Sequence, residues 1–357
     1  MLTHRPLVRV TFNLIVGVLF AVFLLWFVFR GTDWNALFNA ILTVHPGWLL
    51  LSQVPLWASL YTRTYRWSFV VRPTMHVPFR YLFSATQIGF LFNILIPARL
   101  GEFVRAYVLT RLAKLELPKS LALVALDRTT DLIGVIVMVL VALTVFPTDR
   151  PIIVPADFFH TAQPLIISPN LLKFVVALLV LALLVILALF YVLCRYQDAA
   201  KSFLDDRLGR LLPGPLNRRI IDSLSNFANG LHVLRSGRDM VSAICLSLVT
   251  WVLSISCIGF VILAFGIRCP WYTPLVIEVI AIAFTIAPIT PAMIGQFHLA
   301  VATGFIISAP GADLSTVKAL TLLTHAMALL PVMLAGTYCL LRERIGLFAI
   351  TEAGFAR

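Results

Sequence analysis

The sequence contains little charge. Asp, Glu, Lys and Arg make up 12% of its 357 residues, only 16 of them acidic, whereas 60% of the residues are hydrophobic and the mean hydropathy is +0.96. Soluble domains carry about 25% charged residues. This composition excludes a soluble globular protein and predicts a polytopic membrane protein. The five cysteines are dispersed without C-x-x-C spacing, which argues against a disulfide framework or a cysteine metal site.

The sequence also lacks the groups that membrane-bound transferases use. It has no nucleotide-binding loop, and Asp127 and Asp131 have no third carboxylate beside them. We therefore predict no catalytic residue, no metal and no cofactor, and expect a protein that is not an enzyme.

The net charge of +12 comes from basic residues in short segments between apolar runs. This pattern follows the positive-inside rule and does not indicate a nucleic-acid partner. It predicts a multi-pass protein of the bacterial cytoplasmic (inner) membrane with both termini in the cytoplasm. Six spans are expected at about 11–29, 47–66, 118–146, 171–194, 241–266 and 317–341. A helix on the membrane surface is expected around 34–42, and a basic amphipathic cytoplasmic loop over 195–240.

An internal repeat organises the chain. The pattern P-A-x-x-G-x-F begins at Pro97 and again at Pro291, 194 residues later, and each copy interrupts an apolar run. The distribution of charges places both ends of each run on the same face of the membrane. We therefore expect two broken or re-entrant hairpins, over 81–114 and 272–308. The fold class is therefore an all-α polytopic membrane protein with six spanning helices plus these two hairpins in an inverted-topology repeat. The expected domains are an N-terminal span and interfacial segment over 1–46, repeat one over 47–146, a connector over 147–240, repeat two over 241–345 and a tail over 346–357.

Helix breaks inside a membrane persist only where protein or a water-filled cavity surrounds the freed backbone groups. The residues expected to cause the breaks are Pro97, Gly101, Pro288, Pro291 and Gly295. The two breaks should meet near the middle of the membrane, with the N-terminus of a half-helix at each. With Arg99 and Arg105 at the first break, they form a candidate anion site, for which a lipid phosphate is the obvious ligand.

Repeat one carries three cations and three anions, which are costly in a membrane unless they are paired or hydrated. They are Arg99, Glu102, Arg105, Asp127, Arg128 and Asp131. The six charges could simply lock the first hairpin to the helix 118–146. We favour a mixture in which Arg99 and Arg128 face a cavity while the acids hold them.

Repeat two replaces these charges with other polar groups. Met293 stands at the position of Arg99 and Gln296 at that of Glu102, and His298 and His325 add groups that could take up a proton. A hydrogen-bonded buried histidine is the simpler interpretation of each. Gln87 and Asn93 are candidates to line the cavity, with helix packing as the alternative.

Three motifs give the chain a family resemblance: G-E-F-V-R at Gly101, D-R-T-T-D at Asp127 and P-x-T-P-x-x-x-G at Pro288. Together they resemble the lysylphosphatidylglycerol synthase transmembrane-region family of flippase-like proteins over about 10–345. The matching residues are Pro97, Gly101, Glu102, Arg105, Arg128, Asp131, Pro288, Pro291 and Gly295, and the departures are Ala98, Asp127, Ala292 and Met293. The resemblance implies movement of a lipid or lipid-linked headgroup between leaflets.

The leading hypothesis is a flippase or transporter for a phosphate-bearing lipid, with anionic membrane lipids as partners. Two alternatives stay open: a membrane-embedded transferase acting on a lipid-linked sugar, and a non-transporting scaffold for lipid synthesis. A homo-oligomer or a lipid-synthesis partner also stays open.

Overall fold

The computed structural model describes residues 5–96, 100–147, 151–154, 156–159, 163–171, some positions within 173–188, 237–285 and 289–345. The first half of the chain is helical. Its helices are α1 (Arg5–Phe29), α2 (Trp34–Leu42), α3 (Pro46–Val71), α4 (Phe79–Leu95), α5 (Gly101–Ala113) and α6 (Leu117–Val145). The predicted all-α membrane fold is confirmed at this level.

The helix ends follow local sequence signals. Asp33 accepts a hydrogen bond from the backbone N–H of Ala36 and so caps α2, which bends away from α1 by 89°. Proline occupies the first turn of both α3 and α6, where its missing N–H costs nothing. α5 ends where Lys114 adopts the left-handed conformation, with φ of 54°. The helix predicted for 34–42 is present, and its place on the membrane surface stays a prediction.

The connector predicted over 147–240 begins with a small hairpin. β1 (Ile152–Val154) and β2 (Leu165–Ile167) pair antiparallel, with Ile152 opposite Ile167, and the short helix α7 (Ala156–Phe159) lies between them in sequence. The described positions between 169 and 188 are helical. This agrees with the helical span predicted over 171–194, whereas the hairpin was not predicted.

The second half of the chain resembles the first in the order of its elements. It contains α8 (Gly237–Ala264), α9 (Thr273–Thr285), a 3₁₀ turn (Pro291–Met293), α10 (Gln296–Ser308) and α11 (Leu314–Arg342). A shift of 194 residues places α3, α4, α5 and α6 on α8, α9, α10 and α11, with every shared end within four residues. The predicted repeat therefore extends from the sequence to the helices themselves.

The packing of the helices repeats as well. α4 packs on α5 and on α11, and its counterpart α9 packs on α10 and on α6. α6 packs on α8, and α11 packs on α3. The counterparts α3 and α8 form the most extensive helix contact among the described residues. Exchanging the two halves thus reproduces the same set of helix contacts.

Four described helical segments are long and apolar enough to cross a membrane, and a fifth is counted if α1 and α2 form one bent span. The four are 117–145, 238–264, 291–308 and 314–342. Segment 291–308 is not one continuous helix, because Ala292 has a φ of 50°. α3 is 26 residues long but is not among the four. The predicted number of six spans is therefore not confirmed by these criteria.

Three of the predicted break or site residues, Pro97, Arg99 and Pro288, lie outside the described residues. The same holds for most of the connector, including its predicted amphipathic stretch, and for the tail 346–357. Those predictions stay predictions.

Candidate functional site

The first helix break lies where α4 and α5 approach each other closely. A Cβ on Gly101 would lie 2.0 Å from the carbonyl oxygen of Gly89, so only glycine fits at this position. Asn93 accepts a hydrogen bond from the backbone N–H of Gly101 at 2.9 Å through its side-chain oxygen. Asn93, a predicted lining residue, therefore holds the two arms of the hairpin together.

Asp127 is the centre of a buried ion cluster. Its side chain is fully buried in α6, and each of its two oxygens pairs with a different arginine. Nε of Arg66 on α3 donates to Oδ1 at 3.0 Å, and Nη1 of Arg105 on α5 donates to Oδ2 at 2.7 Å. Asp127 thus joins three helices through charge-assisted hydrogen bonds.

Asp131 lies one turn further along α6 and is also paired with arginines, on the side of the cluster nearest α8. Nη1 of Arg66 donates to Asp131 and also to the hydroxyl oxygen of Ser247 on α8. Arg63, one turn before Arg66, lies 3.7 Å from Asp131 and 5.3 Å from the ring centroid of Trp251. One face of α3 therefore supplies two cations to the acids of α6.

Arg128 differs from the buried arginines because it is open at the edge of the cluster. Its side chain is 32% exposed, compared with 1% for Arg66 and for Arg105. Its Nε lies 3.3 Å from Glu102, which is 27% exposed, and its Nη1 lies 3.3 Å from Asp131. Among the described arginines of this cluster, Arg128 is the one most accessible to a ligand.

Cations exceed anions within this ion-paired cluster. Within 4.0 Å of one another, four arginines meet three carboxylates, which leaves one net positive charge. A fourth carboxylate, Glu278, lies beyond 4.0 Å and accepts a hydrogen bond from Ser254, but it still attracts Arg63 electrostatically. Arg105 lies 3.7 Å from the ring centroid of Trp67, and its Nε and Nη2 are buried without a hydrogen-bond partner among the described residues. Surplus charge and unused donors are both properties of an anion site.

The second break is held by one amide side chain. Oε1 of Gln296 accepts hydrogen bonds from the backbone N–H groups of Ile289 and Thr290, at 3.0 and 3.1 Å, and from the Thr290 hydroxyl. Its Nε2 donates to the carbonyl oxygen of Phe284 at 3.2 Å. Gln296 therefore satisfies backbone groups on the chain that leads from α9 into the break, which is what a membrane requires.

Two histidines complete the second break. Nδ1 of His298 accepts the N–H of Gly295, whose φ is 82°, and Nε2 of His325 lies 3.0 Å from the carbonyl oxygen of Ala292. Their ring centroids are 4.7 Å apart. These contacts require the proton on Nε2 in both rings when they are neutral. Both histidines act on the backbone of the break, as the simpler interpretation had it.

The structure brings five of the predicted residues into one cluster, and Arg99 lies outside the described residues. The five are Glu102, Arg105, Asp127, Arg128 and Asp131. Gln296, His298 and His325 lie at the second break. Gln87 on α4 is buried, and in the part of the chain that the structure describes neither of its amide atoms is hydrogen-bonded. The observed set of ion pairs includes the lock between α5 and α6 that was one of the two interpretations.

Sequence reasoning missed Arg63 and Arg66. The predicted span ended at 66, so both arginines were assigned to the membrane surface as topology signals. The helix in fact continues to Val71, and Arg66 is completely buried. Their spacing of three residues, which places both on one helix face, was the signal that could have identified them.

The described residues include no group of three His, Cys, Asp or Glu side chains that could hold a metal ion. What remains is a cationic, partly open ion cluster beside one helix break, with a second break in the repeated half. These features define an α-helical, multi-pass membrane protein built from two similar halves.

The family of this protein follows from comparison with known sequences. Residues 14–336 match the lysylphosphatidylglycerol synthase transmembrane region, and the chain belongs to that family. Membership confirms the resemblance inferred from the three motifs and indicates a membrane protein involved in lipid handling. A comparison with curated proteins finds no match.

Proposed function

We propose that this protein is a flippase or transporter that moves a phosphate-bearing lipid or lipid-linked headgroup across the bacterial cytoplasmic membrane. The observation that carries the proposal is the partly exposed Arg128 at the edge of a cluster with one surplus positive charge. A guanidinium binds a phosphate through paired hydrogen bonds, and a low-dielectric surrounding strengthens them. The lipid tails would stay in the bilayer while the headgroup passes the cluster.

The roles of the charged residues differ in this proposal. Arg128 contacts the phosphate, and Arg99 is proposed to do so from the first break. Arg105 is buried against Trp67 and paired with Asp127, so it positions that carboxylate and offers its unused N–H groups only when the hairpin moves. Arg66 fixes the two acids of α6 from the opposite side.

We also propose that the two halves are inverted relative to each other in the membrane, with six spans and both termini in the cytoplasm. The exchange of helix contacts between the halves supports a twofold relation, and the charge distribution supports the inversion. The arms of the hairpins have 17, 13, 13 and 13 residues. At about 1.5 Å per residue they are shorter than a hydrocarbon core of about 30 Å. Rocking of one half against the other would then alternate access to the cluster.

The proposal is tested with purified protein in liposomes. Transbilayer movement is measured for labelled anionic, zwitterionic and polyprenyl-phosphate lipids, beside an Arg99→Ala variant. Movement of one class that the variant loses supports the proposal and identifies the substrate class. A folded protein that moves none of the three contradicts it.

Two other functions have observations in their favour. A membrane-embedded transferase acting on a lipid-linked sugar would use the buried carboxylates, and formation of product by pure protein with a nucleotide-sugar donor would support it. A scaffold for lipid synthesis would use the basic loop 195–240. Co-purification of a stable partner, with no effect of Arg128→Ala on that association, would support the scaffold.

A further inference from the structure

A groove lies at the end of α8 farthest from the ion cluster. It has a volume of about 580 Å³, within the range typical of small-ligand sites, and it is open on one side. One stripe of α8 forms its floor, and the turn into α9 forms its end. The residues of the stripe are Ser256, Gly259, Phe260 and Leu263, and Ile267 follows just beyond the helix.

The floor of the groove is suited to a hydrocarbon chain. A Cβ on Gly259 would meet only a Pro274 side-chain atom, at 3.7 Å, so this glycine leaves a notch between larger side chains. The Ser256 hydroxyl donates to the carbonyl oxygen of Val252 within the same helix and has no proton left to donate to a ligand. From Ser256 to Leu263 the stripe is about 10 Å long, at 1.5 Å per residue.

The end of the groove at the turn into α9 is polar and aromatic. Arg268 is exposed and has no carboxylate within 4.0 Å among the described residues. Trp271 beside it is 75% exposed, and Trp48 at the start of α3 stacks on Phe260 with ring centroids 5.8 Å apart. Exposed tryptophans at helix ends mark the level of the lipid headgroups. An unpaired cation at this level calls for an anionic group in the same place.

We propose that this groove binds one anionic phospholipid, with an acyl chain along Gly259 and the phosphate at Arg268. The lipid comes from the leaflet that meets the C-terminal end of α8. Charge complementarity with Arg268 favours an anionic headgroup. The notch at Gly259 accommodates an acyl chain better than it would fit a flat protein surface. The proposal goes beyond lipid movement. It holds whether or not the protein is a transporter, because it states only that a lipid occupies the groove.

The test uses the full-length protein in nanodiscs that contain phosphatidylglycerol or phosphatidylcholine with a photoreactive group on the acyl chain. Cross-linked positions are mapped by mass spectrometry after illumination. Adducts are expected within 256–274, at about fivefold higher yield for phosphatidylglycerol, since one surface arginine is worth about that factor with anionic lipid. Gly259→Phe fills the notch and should remove the adducts of both lipids.

Arg268→Gln decides the result if Gly259→Phe does not fold, because Arg268 lies in an exposed turn. It should lower the phosphatidylglycerol yield to that of phosphatidylcholine. Arg30→Gln is the matched control, since Arg30 is also an exposed arginine at a helix end beside a tryptophan, Trp26, and it should change nothing. Equal yields for the two lipids, or adducts spread over the exposed α8 positions Val249 and Val252, would overturn the proposal. Cross-links to a second copy of the chain would also overturn it.

Discussion

Arg66 and Asp127 form a buried ion pair, with Nε of the arginine 3.0 Å from Oδ1 of the carboxylate and both side chains at most 1% exposed. Asp127 is also paired with Arg105, and Arg66 with Asp131. Asp127 therefore has partners on two helices, α3 and α5, whereas Arg66 pairs with two acids of α6. Such a network fixes the relative positions of α3, α5 and α6 and leaves Arg128 free to face outward.

Replacing Arg66 should destabilise the protein strongly. Arg66→Leu removes one partner of each acid and leaves buried carboxylates without full compensation, which costs about 3–5 kcal/mol. Thermal unfolding in detergent measures the loss. Arg72→Leu is the control, because the Arg72 side chain is 59% exposed and its bond to Asp239 should be worth at most about 1 kcal/mol. Equal unfolding temperatures for the two variants would contradict the assigned role.

Gly101→Ala should disrupt the first break. The added methyl group would lie 2.0 Å from the Gly89 carbonyl oxygen and 2.5 Å from Oδ1 of Asn93, so the arms of the hairpin must separate. Overpacking of this kind costs about 1–3 kcal/mol. Gly259→Ala adds the same group where the nearest atom is 3.7 Å away, and its unfolding temperature should stay close to the native value. A harmless Gly101→Ala would show that the arms do not approach as described.

Gln296→Leu should expose the second break to solvent exchange. The substitution removes the acceptor of the Ile289 and Thr290 amides, and one lost hydrogen bond of about 0.5–1.5 kcal/mol raises exchange up to about tenfold. Amide hydrogen exchange read at those two residues measures the effect. Gln53→Leu removes the hydrogen bonds of Gln53 to Met327, away from the break, and should leave both rates unchanged. Unchanged exchange in Gln296→Leu would show that other groups hold the break.

Glu102→Gln should strengthen binding of an anionic lipid. Glu102 competes with the ligand for Arg128, at 3.3 Å, so its neutralisation adds a second surplus positive charge to the cluster. For a partly exposed pair the gain is about twofold to fivefold. Titration of the purified variant with short-chain phosphatidylglycerol measures it. Weaker binding would mean that Glu102 positions Arg128 for the ligand and does not compete with it.

The sequence predicted some features well because they depend on local or repeated signals. Pro118 and the following apolar run placed α6 within a residue of its observed ends, and the recurrence of P-A-x-x-G-x-F predicted two interrupted helices. The role of Gln296 could not be predicted in the same way. Its partners Ile289 and Thr290 are backbone groups whose need for a side-chain acceptor appears only once the break is folded.

The buried arginines show a second limit of sequence reasoning. The rule that places cations at the cytoplasmic surface is statistical, and it assigned Arg63 and Arg66 to the membrane boundary. Burial of Arg66 depends on Asp127 and Asp131, about sixty residues away, and on Ser247 in the other half of the chain. The three-residue spacing of the two arginines marks one face of α3, but it does not identify these distant partners.

The measurement that tests the account most directly is lipid movement by Arg128→Gln in liposomes, beside the native protein and with unfolding temperatures for both. The account predicts that the native protein moves a phosphate-bearing lipid between leaflets. It also predicts that the variant unfolds at nearly the native temperature, since Arg128 is 32% exposed, while lipid movement is lost. A folded variant that moves the lipid at the native rate would contradict the assignment of Arg128 as the group that binds the phosphate.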